Sequence, residues 1–382
     1  LKHKILFFLV LALGAGYVGL SQAAIVKGLY EAEVPVADQG ADERLRAMSL
    51  ALAQVIAKVS GNVDAPQLQG IRDALQSPSQ FVQQFRYRRQ PPSVTKQPAN
   101  PAYTELAWFR FDEPAVNRVL RSNGLPVWGR TRPATLAWIA VEQDGARFIL
   151  GGDNNDNNED LRQLLEQDAK RNGLALLLPL LDLEDQRSLN FADIWGDFPS
   201  AIAAASERYQ PDAILVGRLY LSPTDQWQAR WSLYENGQGK NWSGNYGQIS
   251  DAMQAGISGA LGVLAKRYAQ VFAEDEPGVF RLAVGGVTNL KDFARVSNYL
   301  KSLEQVKELY VTRVDPTGAT FRLAIRGSSE GLRQTIALGN MLAVAPVTAM
   351  NATSGGNMPY PDAPADGPTT AAATEYHYRM LP

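Results

Sequence analysis

Between Ile25 and Val347 the apolar residues switch repeatedly between two spacings, and that alternation constrains the fold of this 382-residue chain more than any other feature. A spacing of three to four marks a helix with one buried stripe; a spacing of two marks a strand with one buried face. The helical spacing is clear in Leu45, Met48, Leu52, Val55, Ile56 and Val59, with Asp42 placed to cap and Gly61-Asn62 placed to stop the helix in left-handed backbone. Strand spacing is clear in Trp227, Ala229, Trp231 and Leu233, followed by the hairpin dipeptide Asn236-Gly237 and a return strand over Lys240–Gly247. Leu136–Val141 reads as a strongly apolar strand, and Leu174–Leu178 is a continuous apolar run, the pattern of a buried strand. Short strands interleaved with helices in this way predict an α+β chain.

The pattern divides into three modules. The first spans residues 25–130 as a small α+β unit, with strands at Leu29–Val36, near Phe81–Tyr87 and at Glu105–Phe111, and a short helix over Glu113–Asn123. The second, 131–275, reads as a mixed sheet with flanking helices at Glu159–Arg171, Phe198–Tyr209 and along Met253, Ile257, Leu261, Leu264 and Tyr268. The third, 276–350, has the order β-α-β-β-α of a ferredoxin-like unit, with Leu332, Ile336 and Leu342 assigned to its last helix. Residues 351–382 begin as an Ala, Thr, Gly, Pro and Asp tract and read as a disordered tail, because such a composition has little to bury.

Residues 1–24 have the three regions of a cleaved signal peptide. Lys2, His3 and Lys4 precede the apolar run Ile5–Leu13, and Ser21-Gln22-Ala23-Ala24 supplies small residues for cleavage. The run is shorter than the roughly 20 residues of a spanning helix, so the expectation is export to a bacterial periplasm with no retained membrane anchor. The chain has no cysteine, which removes thiol catalysis and thiolate metal sites. Its only histidines are His3 and His377, one in the leader and one in the expected tail, so the folded body should lack imidazole chemistry as well. A formal net charge of −2 gives no global attraction to nucleic acid.

Several local patterns could carry function. Trp128, Arg130 and Arg132 sit at the boundary of the first two modules, either as a partner-binding hot spot or as a packed hinge fixed by Pro133. Asp153, Asn155, Asn157 and Glu159 alternate as calcium ligands do, but an EF-hand loop would need Gly where Asn158 stands and an acid where Leu164 stands, so a solvated turn is the simpler reading. Asp193 with Asp197, or Asp182 with Glu184 and Asp185, could serve a glycosidase that needs two facing acids. Phe81, Phe85, Arg86, Tyr87, Arg88 and Arg89 interleave aromatics with cations and could grip an anionic polymer, or form a half-buried strand with its arginines in solvent. Trp227, Trp231 and Trp242 could line a carrier pocket or fill a core. Gly285-Gly286 lacks the pattern of a nucleotide loop. No cofactor is called for. The expectation is a non-catalytic binding or scaffolding factor with an envelope protein as partner, acting through the second module; a carboxylate-dependent glycan enzyme and a small-ligand carrier are the alternatives.

The segments Leu29–Val36, Gln54–Asn62 and Leu125–Pro133, the last with Trp128-Gly129 followed by Arg132-Pro133, resemble the bacterial domain-of-unknown-function family twenty sixty-six. That resemblance covers nearly the whole chain between leader and tail. It implies export and supplies no catalytic residues. In element order alone, the second module is similar to the α/β domains of the curli secretion channel and of outer-membrane activators of penicillin-binding proteins, which bind partners and do not catalyse.

Overall fold

The computed structural model describes residues 24–89, 105–152, 158–235, 237–269, 278–339, 341–345 and 375–381. The expected leader (all but Ala24), the loop 153–157 and residues 351–374 lie outside them. The class is α+β, built on three larger sheets and one two-stranded pair. No helix among the described residues is long and apolar enough to cross a membrane.

After the two-residue strand β1 (Ala24–Ile25), β2 (Glu31–Val36) buries Ala32, Val34 and Val36 and turns Glu31, Glu33 and Pro35 outward. It lies antiparallel to β4 (Glu105–Phe111), which pairs in turn with β3 (Val82–Arg89), in the order β2-β4-β3. Helix α1 (Ala41–Ser60) covers the inner face with Met48, Leu52, Val55, Ile56 and Val59. The stripe is one residue shorter than the sequence suggests, since Leu45 near the start of the helix remains 49% exposed. Asp42 is not the cap, because it already lies inside the helix. Asp38 accepts from the Gly40 N–H at 2.7 Å, and Glu43 accepts from the Ala37 N–H at 2.9 Å. Helices α2 (Gln69–Leu75) and α3 (Glu113–Ser122) close this core; Asp112 caps α3 by accepting from the Ala115 N–H. Strand β5 (Thr131–Arg132) pairs with β1.

The second sheet has the order β11-β10-β9-β6-β7, formed by β6 (Thr135–Gln143), β7 (Ala146–Leu150), β9 (Ala213–Leu221), β10 (Trp227–Glu235) and β11 (Gln238–Tyr246). It is mixed, since β6 runs parallel to β9. Helix α4 (Glu159–Asn172) leads to β8 (Leu176–Leu177), which adds parallel to β6. The apolar run at 174–178 thus yields only two strand residues. Gly173, at a φ of 70°, precedes it and Pro179 follows it, and Leu177 is 38% exposed. Helices α5 (Leu183–Ser188), α6 (Phe191–Trp195) and α7 (Pro199–Ser206) cover one face over Leu136, Trp138 and Ala140. Helix α8 (Ile249–Tyr268), with α4, covers the other over Ile139, Leu215 and Trp231. Both faces of β6 are therefore covered, as its unbroken apolar run requires.

The third sheet comprises β12 (Gly278–Gly285), β13 (Val306–Asp315), β14 (Gly318–Ile325), β15 (Leu342–Val344) and β16 (Glu375–Met380), with α9 (Leu290–Ser302) and α10 (Ser329–Leu338) packed on its core. Its order is β13-β14-β12-β16-β15. Two expectations are corrected here. Leu342 belongs to a strand, because α10 stops at Leu338 ahead of Gly339. The expected tail to residue 382 ends in a strand: β16 lies parallel to β12 and antiparallel to β15, and buries Tyr378. His377 is consequently part of the folded body, exposed on β16, rather than on a tail.

Candidate functional site

The three residues singled out at the junction separate into two environments. Trp128 and Arg132 are 2% and 1% exposed. The Trp128 backbone N–H donates to the Val59 carbonyl at 2.8 Å. The Arg132 guanidinium lies 4.2 Å from the Trp128 ring centroid. It donates to four carbonyl oxygens: Lys58 at 2.7 Å, Gly173 at 2.8 Å, Trp128 at 3.1 Å and Gly129 at 3.2 Å. One side chain thereby ties the end of α1, the 128–132 linker and the end of α4 together. Gly61, at a φ of 66°, allows the approach; a Cβ there would stand 2.5 Å from the Ala265 Cβ and 2.9 Å from the Trp128 ring. Arg130 faces solvent and pairs with Glu113 at 2.6 Å. The packed-hinge alternative describes Trp128 and Arg132, and Arg130 is what remains at the surface.

Beside this junction stands a second buried cation. Lys58 is 6% exposed, and its ammonium donates to the carbonyls of Glu31 at 2.7 Å and Gly28 at 3.3 Å. Among the described residues, neither Lys58 nor Arg132 has a carboxylate within ion-pairing distance. Burial, reinforced by the charge of Arg132, lowers the Lys58 ammonium to about 8. An ammonium carries three donors, so one remains beyond the two carbonyls.

Lys58 opens onto a cleft of about 760 Å³ between the outward face of the first sheet and the end of α4. Its lining includes Lys27, Gln54, Gln167, Lys170 and Arg171, with Leu106 and Trp108 as an apolar floor. The sheet register places the outward residues in rows across the strands. Glu31 stands beside Arg110 and Gln84, and Glu33 beside Trp108 and Arg86. Arg110 pairs with Glu31 at 2.9 Å, and Arg88 makes two hydrogen bonds to Glu33. The guanidiniums of Arg86 and Arg110 lie 4.5 Å and 5.3 Å from the Trp108 ring. A second depression of about 550 Å³ over Gln83, Gln84, Phe85, Arg86 and Arg110 shares Glu31 and Trp108 with the cleft, so the two adjoin.

The aromatic–cation interleave of β3 resolves by strand phase. Tyr87 packs toward the core and Phe85 stacks on Phe109 at 6.2 Å, while Arg86 and Arg88 point outward. Sequence reasoning missed Trp108, Arg110, Lys58 and Lys170. The available signal was in β4, where a tryptophan occupies the outward phase between Leu106 and Arg110.

The remaining candidates serve the fold. Asp193 closes a capping box with Asn190 at the start of α6. Asp197 accepts from Ser232 at 2.6 Å, Tyr234 at 2.8 Å and Arg218 at 3.0 Å. Asp182 caps α5 and pairs with Arg208, which also reaches Glu184 and the buried Asp185. Trp227 and Trp231 are core residues, and the Trp242 indole donates to the Ala255 carbonyl at 3.2 Å. Among the described residues, no cluster of three or more His, Asp or Glu side chains is placed to hold a metal ion.

No curated protein matches the chain. Residues 23–129, the segment that builds the first sheet and its outward face, match a family model, and the family is not the one that the sequence segments resemble. That stretch is similar to a domain of unknown function (DUF8605).

Proposed function

We propose that the chain is an exported, non-catalytic binding protein of the bacterial envelope. Its ligand lies along the groove between the outward face of β2-β4-β3 and the C-terminal end of α4. The observation that carries this reading is the Arg86–Trp108–Arg110 stack, a flat aromatic surface with cations on it, beside a cleft whose wall holds a buried lysine that forms no ion pair among the described residues. Arginine and tryptophan are the side chains most enriched where binding energy concentrates. The second module, expected from sequence to present the binding surface, has both faces of its sheet covered by helices, which favours the first. Cleavage of the leader near Ala24 belongs to this same reading.

The test has two arms. Fractionation of the source bacterium, with N-terminal sequencing of the mature protein, should place it in the periplasm with residues 1–23 or 1–24 removed. Affinity capture from the envelope fraction should recover a ligand with the native protein and lose it with Trp108→Ala. Capture unaffected by that substitution, or an uncut cytosolic protein, refutes the proposal.

A further inference from the structure

We infer, resting on that reading, that the groove takes an anionic glycan: a chain of sugars carrying carboxylate or phosphate groups. Three features of the lining point there. First, the cleft and the depression that adjoins it extend, among the described residues, from Lys170 and Arg171 past Lys58 to Trp108, Arg86 and Arg110. A linear polymer can pass through such a groove, whereas a small ligand would leave most of it wet.

Second, the charge balance favours an anion without being purely cationic. Lys27 and Lys170 make no ion pair among the described residues, and Lys58 keeps a donor in reserve. Glu31 and Glu33 nevertheless line the same groove, held by Arg110 and Arg88. A polyphosphate or nucleic-acid backbone carries charge at every step and would meet these carboxylates unfavourably. A glycan has hydroxyl donors, which carboxylates accept well. The amides of Gln54, Gln84 and Gln167 add mixed donors and acceptors of the kind hydroxyls need.

Third, the floor holds one half-buried indole, Trp108. The Arg86 and Arg110 guanidiniums lie over its ring, 4.5 Å and 5.3 Å from the centroid, so indole and cations form one platform. A sugar ring has an apolar C–H face that packs on such a platform while its anionic substituents reach the cations. A base-stacking track for single strands would place successive aromatics along the path; here Tyr87 packs against the core, and Phe85, which borders the shallower depression, is stacked on Phe109 in the strand phase opposite to Trp108.

The test is calorimetric titration of the full-length mature protein with four probes of similar length: an oligogalacturonate, a maltohexaose, a linear polyphosphate and a single-stranded oligodeoxynucleotide. The expected result is that oligogalacturonate binds at least tenfold more tightly than each of the others. Trp108→Ala should weaken it at least tenfold, Lys170→Ala about threefold, and Arg313→Ala, on the third sheet, not at all. Lys170 and Arg313 are exposed and Trp108 is half-buried, so folding of each variant is checked by unchanged circular dichroism. Polyphosphate or oligonucleotide binding as tightly as the glycan overturns the inference. So does a failure of all four probes. If envelope capture still succeeds through Trp108 in that case, the binding-protein reading survives and only the glycan class is lost.

Discussion

Glu304 offers the sharpest quantitative test of how the third unit is joined to the first. It lies just beyond α9, against the junction loop: a Cβ on Gly129 would stand 3.1 Å from the Glu304 Cγ. Burial, then a hydrogen bond to Glu113, then the charge of Glu113 push the Glu304 carboxyl from 4.5 up to about 7, against the opposing pull of Arg121 and Arg130. Glu113 at the same time accepts from Arg130. The folded state therefore holds a proton on Glu304 that the unfolded chain releases near its ordinary value. Below 4.5 both states are protonated and nothing is lost. As pH rises from 4.5 through about 7 the folded state is progressively disfavoured. Each tenfold difference in proton affinity between the folded and unfolded chain is worth about 1.4 kcal/mol, so the full loss is about 3 kcal/mol, and solvent contact at the carboxyl trims it to about 2. Glu304→Gln keeps a donor toward Glu113 and cannot ionise. Urea unfolding of both proteins, followed by tryptophan fluorescence from pH 4.5 to 8.5, should show the variant gaining about 2 to 3 kcal/mol on the native protein over that range. Contributions from charges remote from Glu304 cancel in the difference. A difference that stays flat with pH, or that moves against the variant, would show that Glu304 is charged in the fold and that the junction is not held by a shared proton.

Arg132→Met should destabilise by about 3 to 5 kcal/mol in the same assay, because four carbonyl oxygens lose their donor in a buried place. Arg132→Lys should recover less than half of that, since an ammonium cannot fork to both α1 and α4; full rescue would contradict the hydrogen-bond account. Gly256→Ala should cost about 1 to 3 kcal/mol, as the new methyl would stand 2.4 Å from the Trp231 ring, which is pinned on its other side by Gly217. Tyr378→Ala should cost about 3 kcal/mol or more and, by hydrogen exchange, open β12 and β15 together while leaving the second sheet protected; protection unchanged in β12 would refute its pairing with β16.

What the sequence disclosed was what depends on one chain segment at a time. The stripe of α1, the alternation of β10 and the covered run of β6 are local periodicities, and each appears in the structure where buried area demands it. Short elements were less legible. Helices α5 and α6 span 6 and 5 residues, too short for a stripe, and exist because Asp182 and Asn190 cap them. The outward face escaped for a related reason. Its significance comes from three strands distant in sequence, brought into register so that Glu33, Trp108 and Arg86 share a row. Taken singly, those residues read as an acid, an aromatic and a cation on unrelated strands.

The final strand shows most plainly where composition misleads. A tract of Ala, Thr, Gly, Pro and Asp offers little apolar surface, and composition alone extends that expectation to the last residue. Yet β16 needs no core of its own. It fills a place between β12 and β15, where Tyr376 stacks on Phe280 at 4.5 Å and the Tyr378 ring enters a core already made by α9, α10 and β14. The Ala345 N–H bonds to the His377 carbonyl, so the two strand ends are adjacent in space although 29 residues separate Ala345 from Glu375. An antiparallel neighbour would ordinarily be reached in about 2 to 5 residues. The added loop length costs little, because closure entropy grows only logarithmically, and the buried tyrosine offsets it. A strand of this kind is stabilised by the sheet that receives it, which is why its own sequence, an alternation of only Tyr376, Tyr378 and Met380, carries so weak a signal.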